Sequence, residues 1–186
     1  MRSGWVALAV ALAALVTPGV QAADFCSSCE LQLGVGAAYH YWGYNHSLVV
    51  PIALNFDHDR WELAAFRFTS TQHYFVQAFN YDVLWASPYW GASLTRRLEL
   101  VKLQHWRLYI GLGAAYKSQE NRQIASLWNF SEQVGMRYIP APGYAIDLTW
   151  RHWSNAGIKL PNHGQDFGTL MFSVYPGLFR HREAPR

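Results

Sequence analysis

Apolar and polar residues alternate along the chain from Glu30 to its end, and this pattern limits the fold more than any other feature. Between Leu31 and Tyr41 every odd-numbered residue is apolar or aromatic, whereas the even-numbered residues are small or polar. Successive side chains of a β-strand point to opposite faces, so such a segment forms a strand with one apolar face. The chain is therefore predicted to be all-β.

Seven further segments are predicted to be strands. They are 48–56, 61–69, 82–95, 106–116, 128–138, a seventh from Tyr144, and an eighth from Asp166 to Tyr175. The third has ambiguous parity because its apolar residues change face between Leu63 and Phe66, which a β-bulge would explain. Pro88 has no N–H group, so it would interrupt the hydrogen-bond ladder of the fourth strand. Glu132 falls on the apolar face of the sixth, so it must lie near a membrane interface or find a partner.

The first residues of the chain direct export. An apolar segment from Trp5 to Val16 is followed by small residues up to Ala22, which is the pattern of a secretory signal peptide. The segment is shorter than the about 20 residues that a membrane-spanning helix needs. We expect residues 1–22 to be the signal peptide and residues 180–186, which follow the last aromatic residue, to be a basic C-terminal tail.

The composition favours a barrel in a membrane. Aromatic residues make up 16% of the chain and charged residues only 15%, as expected where strands face lipid and aromatic side chains gather at the interfaces. Eight strands form the smallest common closed barrel, and closure leaves no unpaired edge in lipid. We predict an eight-stranded antiparallel β-barrel of the bacterial outer membrane over residues 23–179. A soluble, ligand-carrying barrel would invert the pattern, so alternation alone leaves that alternative open.

The connections fit the same topology. With the N-terminus in the periplasm, the tight turns at 57–60 and 139–143 are periplasmic, and the longer connections at 70–80 and 117–126 are external.

Cys26 and Cys29 suit a local disulfide in an exported protein, since the βαβ context of a redox motif is missing. The net charge of +3 is scattered, which argues against nucleic-acid binding.

A candidate nucleophilic site lies on the last predicted hairpin. His152 and Ser154 are two residues apart on the seventh strand, and parity places Asp166 of the eighth strand on the same outward face, near the external end. Acyl transfer needs such a trio: Ser154 as nucleophile, His152 as general base, and Asp166 to orient the imidazole. Backbone N–H groups of Asn155 and Gly157 are candidates to stabilise the oxyanion. A serine and a histidine at this spacing are also common without any catalytic role.

The segment His152–Gly157, with Pro161, Asn162, Gly164 and an acid at position 166, resembles the active-site hairpin of the PagL-type lipid A 3-O-deacylases. The resemblance implies an outer-membrane barrel that hydrolyses the ester-linked acyl chain at position 3 of lipid A, without a metal or other cofactor. It carries the catalytic roles onto His152, Ser154 and Asp166. The family usually has Glu at the last position. Asp is one methylene shorter, so we expect its carboxylate to fall short of the histidine unless the backbone shifts, which would weaken activity.

Lipid A, the implied membrane-embedded partner, is anionic, so cations near the hairpin are candidate phosphate ligands. Lys159 is the strongest by proximity. Lys117 and Arg122 are more simply explained as solvated loop charges, and Arg151 has interior parity and is expected to pair with Asp147.

Other functions stay open at this point. One is a phospholipase-like esterase of the outer membrane, although such enzymes resemble larger, calcium-dependent barrels. Another is a non-enzymatic structural barrel in which the trio is incidental. A homodimer would cover part of the lipid-facing surface, but strand parity identifies a face and not an interface, so the oligomeric state is open as well.

Overall fold

The computed structural model describes residues 29–40, 43–69, 74–76, 81–83, 88–121 and 124–174. Eight antiparallel strands close into a barrel, as predicted, in the order β1-β10-β9-β8-β7-β6-β3-β2. They are β1 (Glu30–His40), β2 (Gly43–Phe56), β3 (Trp61–Phe68), β6 (Tyr89–Lys102), β7 (Trp106–Lys117), β8 (Trp128–Ala141), β9 (Tyr144–Ser154) and β10 (Gln165–Val174). Between β3 and β6, β4 (Tyr74–Val76) and β5 (Tyr81–Val83) form a separate two-stranded sheet. None of the described residues forms a helix long and apolar enough to cross a membrane.

The outward face carries the apolar residues, as their alternation predicts. Aromatic pairs mark both ends of the β7–β8 ladder: Trp106 lies opposite Tyr138, and Tyr116 lies opposite Trp128. Their ring centroids are 4.5 Å and 5.0 Å apart. Ten residues of tilted strand separate the two pairs along β7, and this length matches an apolar band about 25 Å tall with aromatic residues at each interface.

Two strand predictions were wrong. The fourth barrel strand is β6, which covers 89–102 rather than 82–95, because Pro88 cannot donate to a ladder and the strand begins just after it. The predicted bulge in the third strand is absent, since β3 pairs with β2 and β6 without a register shift in the described residues. Phe66 and Phe68 have the parity of interior residues, and they are fully buried inside the barrel.

These two phenylalanines belong to an aromatic cluster in the outer half of the barrel interior. Its other members are Tyr89, Trp153 and Phe167, and neighbouring rings meet at centroid distances of 4.5 to 6.2 Å. Edge-to-face packing predominates, which is a favoured arrangement of aromatic rings. The interior at this level is therefore a packed apolar core and not a polar lumen.

Ion pairs fill the interior next to this cluster. Arg151 forms a bidentate pair with Glu62, at 2.6 and 2.8 Å, and Arg97 contacts the same carboxylate. The predicted pairing of Arg151 with Asp147 was therefore wrong. Arg151 and Asp147 are four residues apart on the same strand, a separation of about 13 Å. Glu62 on β3 lies directly across the barrel, within reach of the Arg151 side chain. Asp147 instead accepts hydrogen bonds from Gln32, at 2.8 Å, and Tyr109, at 3.1 Å.

The connections between the barrel strands differ in length between the two ends of the barrel. Short connections at 57–60, 103–105 and 142–143 lie at one end of the barrel, and longer ones, of which residues 118–121, 124–127 and 155–164 are described, lie at the other. Cys29 is disulfide-bonded, and Cys26 is the only other cysteine in the chain. The expected signal peptide at 1–22 and tail at 180–186 lie outside the described residues.

Candidate functional site

The β9–β10 hairpin brings His152 and Asp166 together on the outer surface. The two residues are direct cross-strand partners, and the Nδ1 atom of His152 lies 2.9 Å from Oδ1 of Asp166. Side chains directly opposite each other in an antiparallel pair have Cβ atoms only about 5 Å apart, so even the short aspartate reaches the ring. The expectation that its carboxylate would fall short is therefore not met.

Ser154 is the last residue of β9 and lies on the same face as His152. Within the described part of the chain, neither the Ser154 hydroxyl nor Nε2 of His152 has a hydrogen-bond partner. The Asp166 carboxylate favours the imidazole tautomer with its proton on Nδ1, which leaves Nε2 as an acceptor. Catalytic hydrogen bonds often tighten only when substrate binds, so a free Nε2 two residues from Ser154 is compatible with general-base chemistry.

Gly164 sets the position of the imidazole. A Cβ atom on this glycine would lie 2.3 Å from Cε1 and 3.1 Å from Nε2 of His152, and its φ of +76° is one that other residues rarely adopt. The backbone therefore packs directly against the ring. This role was missed in the sequence, where Gly164 stood only as a member of the motif.

In the loop between β9 and β10, two backbone N–H groups donate to side-chain acceptors of the same loop. The N–H of Asn155 donates to Oδ1 of Asn162 at 3.1 Å, and the N–H of Gly157 donates to Oδ1 of Asn155 at 2.9 Å. These are the two groups predicted to bind the oxyanion. In this conformation both already have acceptors, so an oxyanion would have to replace them.

The candidate phosphate ligands differ in position. Lys159 is exposed at the external rim, where its ammonium contacts both carboxylate oxygens of Glu120, at 2.7 and 2.8 Å. Contrary to expectation, Lys117 is not a solvated loop charge, because it is buried at the end of β7 and donates to the carbonyl of Ile124 at 2.9 Å. Arg151 is interior. Arg122 lies outside the described residues. Of the candidates in the described residues, Lys159 is therefore the one that lies both near the site and on the surface.

Two further features surround the site. Glu132 of β8 is exposed on the outward face and is the cross-strand partner of His152 on the side away from Asp166. Behind the site, Trp153 points inward and donates from Nε1 to the Ser131 hydroxyl at 3.1 Å. The aromatic cluster thus fills the barrel interior behind the trio, and the trio itself lies on the outer surface. The described residues include no group of three or more His, Cys, Asp or Glu side chains placed to hold a metal ion.

Comparison with known proteins assigns the family. A family model described as lipid A 3-O-deacylase (PagL) matches residues 27–175. The chain belongs to the PagL family. A lipid A deacylase PagL from Bordetella bronchiseptica is 31% identical over an alignment of 102 positions, and the match covers 47% of this chain and 57% of that relative. The match thus spans little more than half of the curated relative's length.

Solved structures resemble this PagL-family chain in fold. The crystal structure of the outer membrane enzyme PagL superposes with a TM-score of 0.56 at 19% identity, covering 78% of this chain and 98% of that one. Neisserial surface protein A gives a TM-score of 0.51 at 10% identity, with 79% and 95% covered. The N-terminal barrel of Pseudomonas aeruginosa OprF gives 0.50 at 12% identity, with 78% and 96% covered. The chain is an outer-membrane β-barrel, and its function has to be argued from its site.

Proposed function

We propose that this PagL-family barrel is a serine esterase that hydrolyses the ester-linked 3-hydroxyacyl chain at position 3 of lipid A in the outer leaflet. The observation that carries the proposal is the hydrogen bond between His152 and Asp166, 2.9 Å long, on the lipid-facing surface two residues from Ser154. A charged residue on that face destabilises a barrel, by about 2–4 kcal/mol for a basic side chain at the membrane midplane and less for an acid. A catalytic role accounts for the presence of an acid on that face.

The proposed reaction proceeds through an acyl-enzyme. Ser154 Oγ attacks the ester carbonyl while its proton passes to Nε2 of His152, and Asp166 stabilises the resulting imidazolium. The tetrahedral intermediate then expels the sugar oxygen, which takes the proton from His152. Water attacks the acyl-enzyme by the same route and releases the 3-hydroxy fatty acid and free Ser154.

The oxyanion and the headgroup need their own contacts. The N–H groups of Asn155 and Gly157 donate to neutral amide oxygens in the loop, and a charged oxyanion is a stronger acceptor than either. We propose that they turn to the oxyanion when substrate binds. The exposed ammonium of Lys159 is the proposed contact for a lipid A phosphate.

The test is the mass of lipid A from outer membranes that contain the protein. Wild type should remove one 3-hydroxyacyl group, and Ser154→Ala should reduce this activity at least about 10³-fold, because the nucleophile is lost. Ser118→Ala, at the external end of β7, is the matched control and should behave as wild type. Folding of each variant is checked by the mobility shift of the unboiled barrel on SDS gels.

Other outcomes are equally informative. Unchanged lipid A in the presence of folded wild-type protein would contradict the deacylase and favour a structural barrel. Loss of acyl chains from phospholipids, with lipid A intact, would favour the phospholipase-like alternative.

A further inference from the structure

We propose that Lys159 is a binding site for a phosphate monoester of the substrate headgroup, and that Glu120 occupies the lysine until that phosphate replaces it. This inference rests on the proposed function and extends it to headgroup selectivity. Glu120 thus acts as a built-in competitor that weakens the binding of a phosphorylated headgroup and does not affect a headgroup without phosphate.

The ion pair joins the two external loops next to the site. Lys159 Nζ lies 2.7 Å from Oε1 and 2.8 Å from Oε2 of Glu120, so the carboxylate meets the ammonium with both oxygens. The side chains of Lys159 and Glu120 are 53% and 48% exposed. In the described parts of these loops, Lys159 is the only lysine or arginine. Among the described residues of these loops, Lys159 is therefore the cation available to a headgroup phosphate.

The backbone holds both partners in place. The Lys159 carbonyl accepts a hydrogen bond from Nδ2 of Asn155 at 2.7 Å, and Asn155 directly follows Ser154. The loop of Glu120 is tied to the same hairpin, because the N–H of Ala125 donates to the carbonyl of Pro161 at 3.0 Å. The backbone of Lys159 is thus fixed relative to the nucleophile, so its side chain extends from a defined position beside the site.

The strength of the pair suits exchange. Exposed ion pairs contribute little to stability, so Glu120 is easily displaced. A phosphate monoester carries up to two negative charges and three strong acceptor oxygens, against one charge on the carboxylate. The acyl chains of the substrate also hold its headgroup at the membrane surface, which raises its local concentration near Lys159.

The experiment compares purified full-length wild type, Glu120→Gln, Lys159→Gln and the double variant in detergent micelles. The substrates are phosphorylated lipid A and the same lipid A with its phosphates removed, and the release of 3-hydroxy fatty acid gives kcat and KM. Glu120→Gln should lower KM for phosphorylated lipid A about two- to five-fold, the range expected for an exposed ion pair, without changing kcat. Lys159→Gln should raise KM by a similar factor, and the double variant should match Lys159→Gln.

The controls separate binding from a structural role. None of these variants should change KM for the dephosphorylated substrate, and Glu120→Asp should keep the wild-type KM for both. If Glu120 only ties the loops together, Glu120→Gln will lower kcat on both substrates alike, which would overturn the proposal. Millimolar inorganic phosphate should leave the gain of Glu120→Gln intact. Loss of that gain would indicate a site for free phosphate, which contradicts the headgroup assignment.

The two proposals fail in different ways. A folded wild type that releases no fatty acid from either substrate refutes the proposed deacylase. An active wild type whose KM for phosphorylated lipid A is the same in all variants refutes only the phosphate site.

Discussion

Two carboxylates on opposite faces of the barrel wall have very different partners. Glu62 is fully buried inside the barrel and is paired with the guanidinium groups of Arg97 and Arg151. Asp166 faces outward and is paired with one imidazole, that of His152. Arg151 and His152 are neighbours on β9 and point to opposite faces. Arginine stays charged, so the negative charge of Glu62 is always balanced by its partners. Asp166 instead orients an imidazole ring that can still accept a proton.

The largest effect is expected when Asp166 is changed to Asn. The variant favours the wrong imidazole tautomer, so kcat for lipid A deacylation should fall about 10³- to 10⁴-fold while the barrel remains as stable as wild type. Asp166→Glu, the companion variant, should give no gain, because the aspartate already reaches His152 at 2.9 Å. A large increase with Glu would show that the shorter acid limits the reaction.

Glu62→Gln tests the interior member of the comparison. Removing this charge leaves two buried guanidinium groups without their acid, which should lower the free energy of unfolding by about 3–5 kcal/mol in urea titrations of the micellar protein. Glu132→Gln makes the same chemical change on the outward face and should shift stability by only about 0.5 kcal/mol. Equal stability of Glu62→Gln and wild type would show that the interior pair is dispensable.

Gly164→Ala should sharpen the view of how His152 is placed. The added Cβ would collide with the ring, and a displacement of about 1 Å at a catalytic group can cost about 10²-fold in rate. Gly143→Ala is the matched control, because Gly143 also has a positive φ, of 89°, but lies in the turn at the opposite end of the barrel. Equal activity of the two variants would mean that the collision is relieved without moving the imidazole.

The regular alternation made much of this structure predictable. It correctly identified β7 and placed His152 and Asp166 on one outward face, because parity depends only on position along a strand. It gave the wrong bounds for β6, which begins just after Pro88. It placed Arg151 correctly in the interior but gave it the wrong partner, because Glu62 lies across the barrel. Phe66 and Phe68 made the parity of the third strand ambiguous because they are apolar residues that face the interior, which near the site is aromatic and not polar. The role of Gly164 depends on a backbone angle and a contact between the loop and β9, neither of which a single sequence contains.

The outward orientation of Ser154 decides which molecules the protein can encounter. A serine on the outer wall of a barrel meets lipids that diffuse sideways in the membrane plane, so a lipid ester can reach it with its acyl chains still dissolved in the bilayer. Moving those chains into water would cost about 0.8 kcal/mol for each CH₂ group. The concentration that governs such an encounter is the mole fraction of the ester in one leaflet, and adding more membrane at constant composition would leave the rate per protein unchanged.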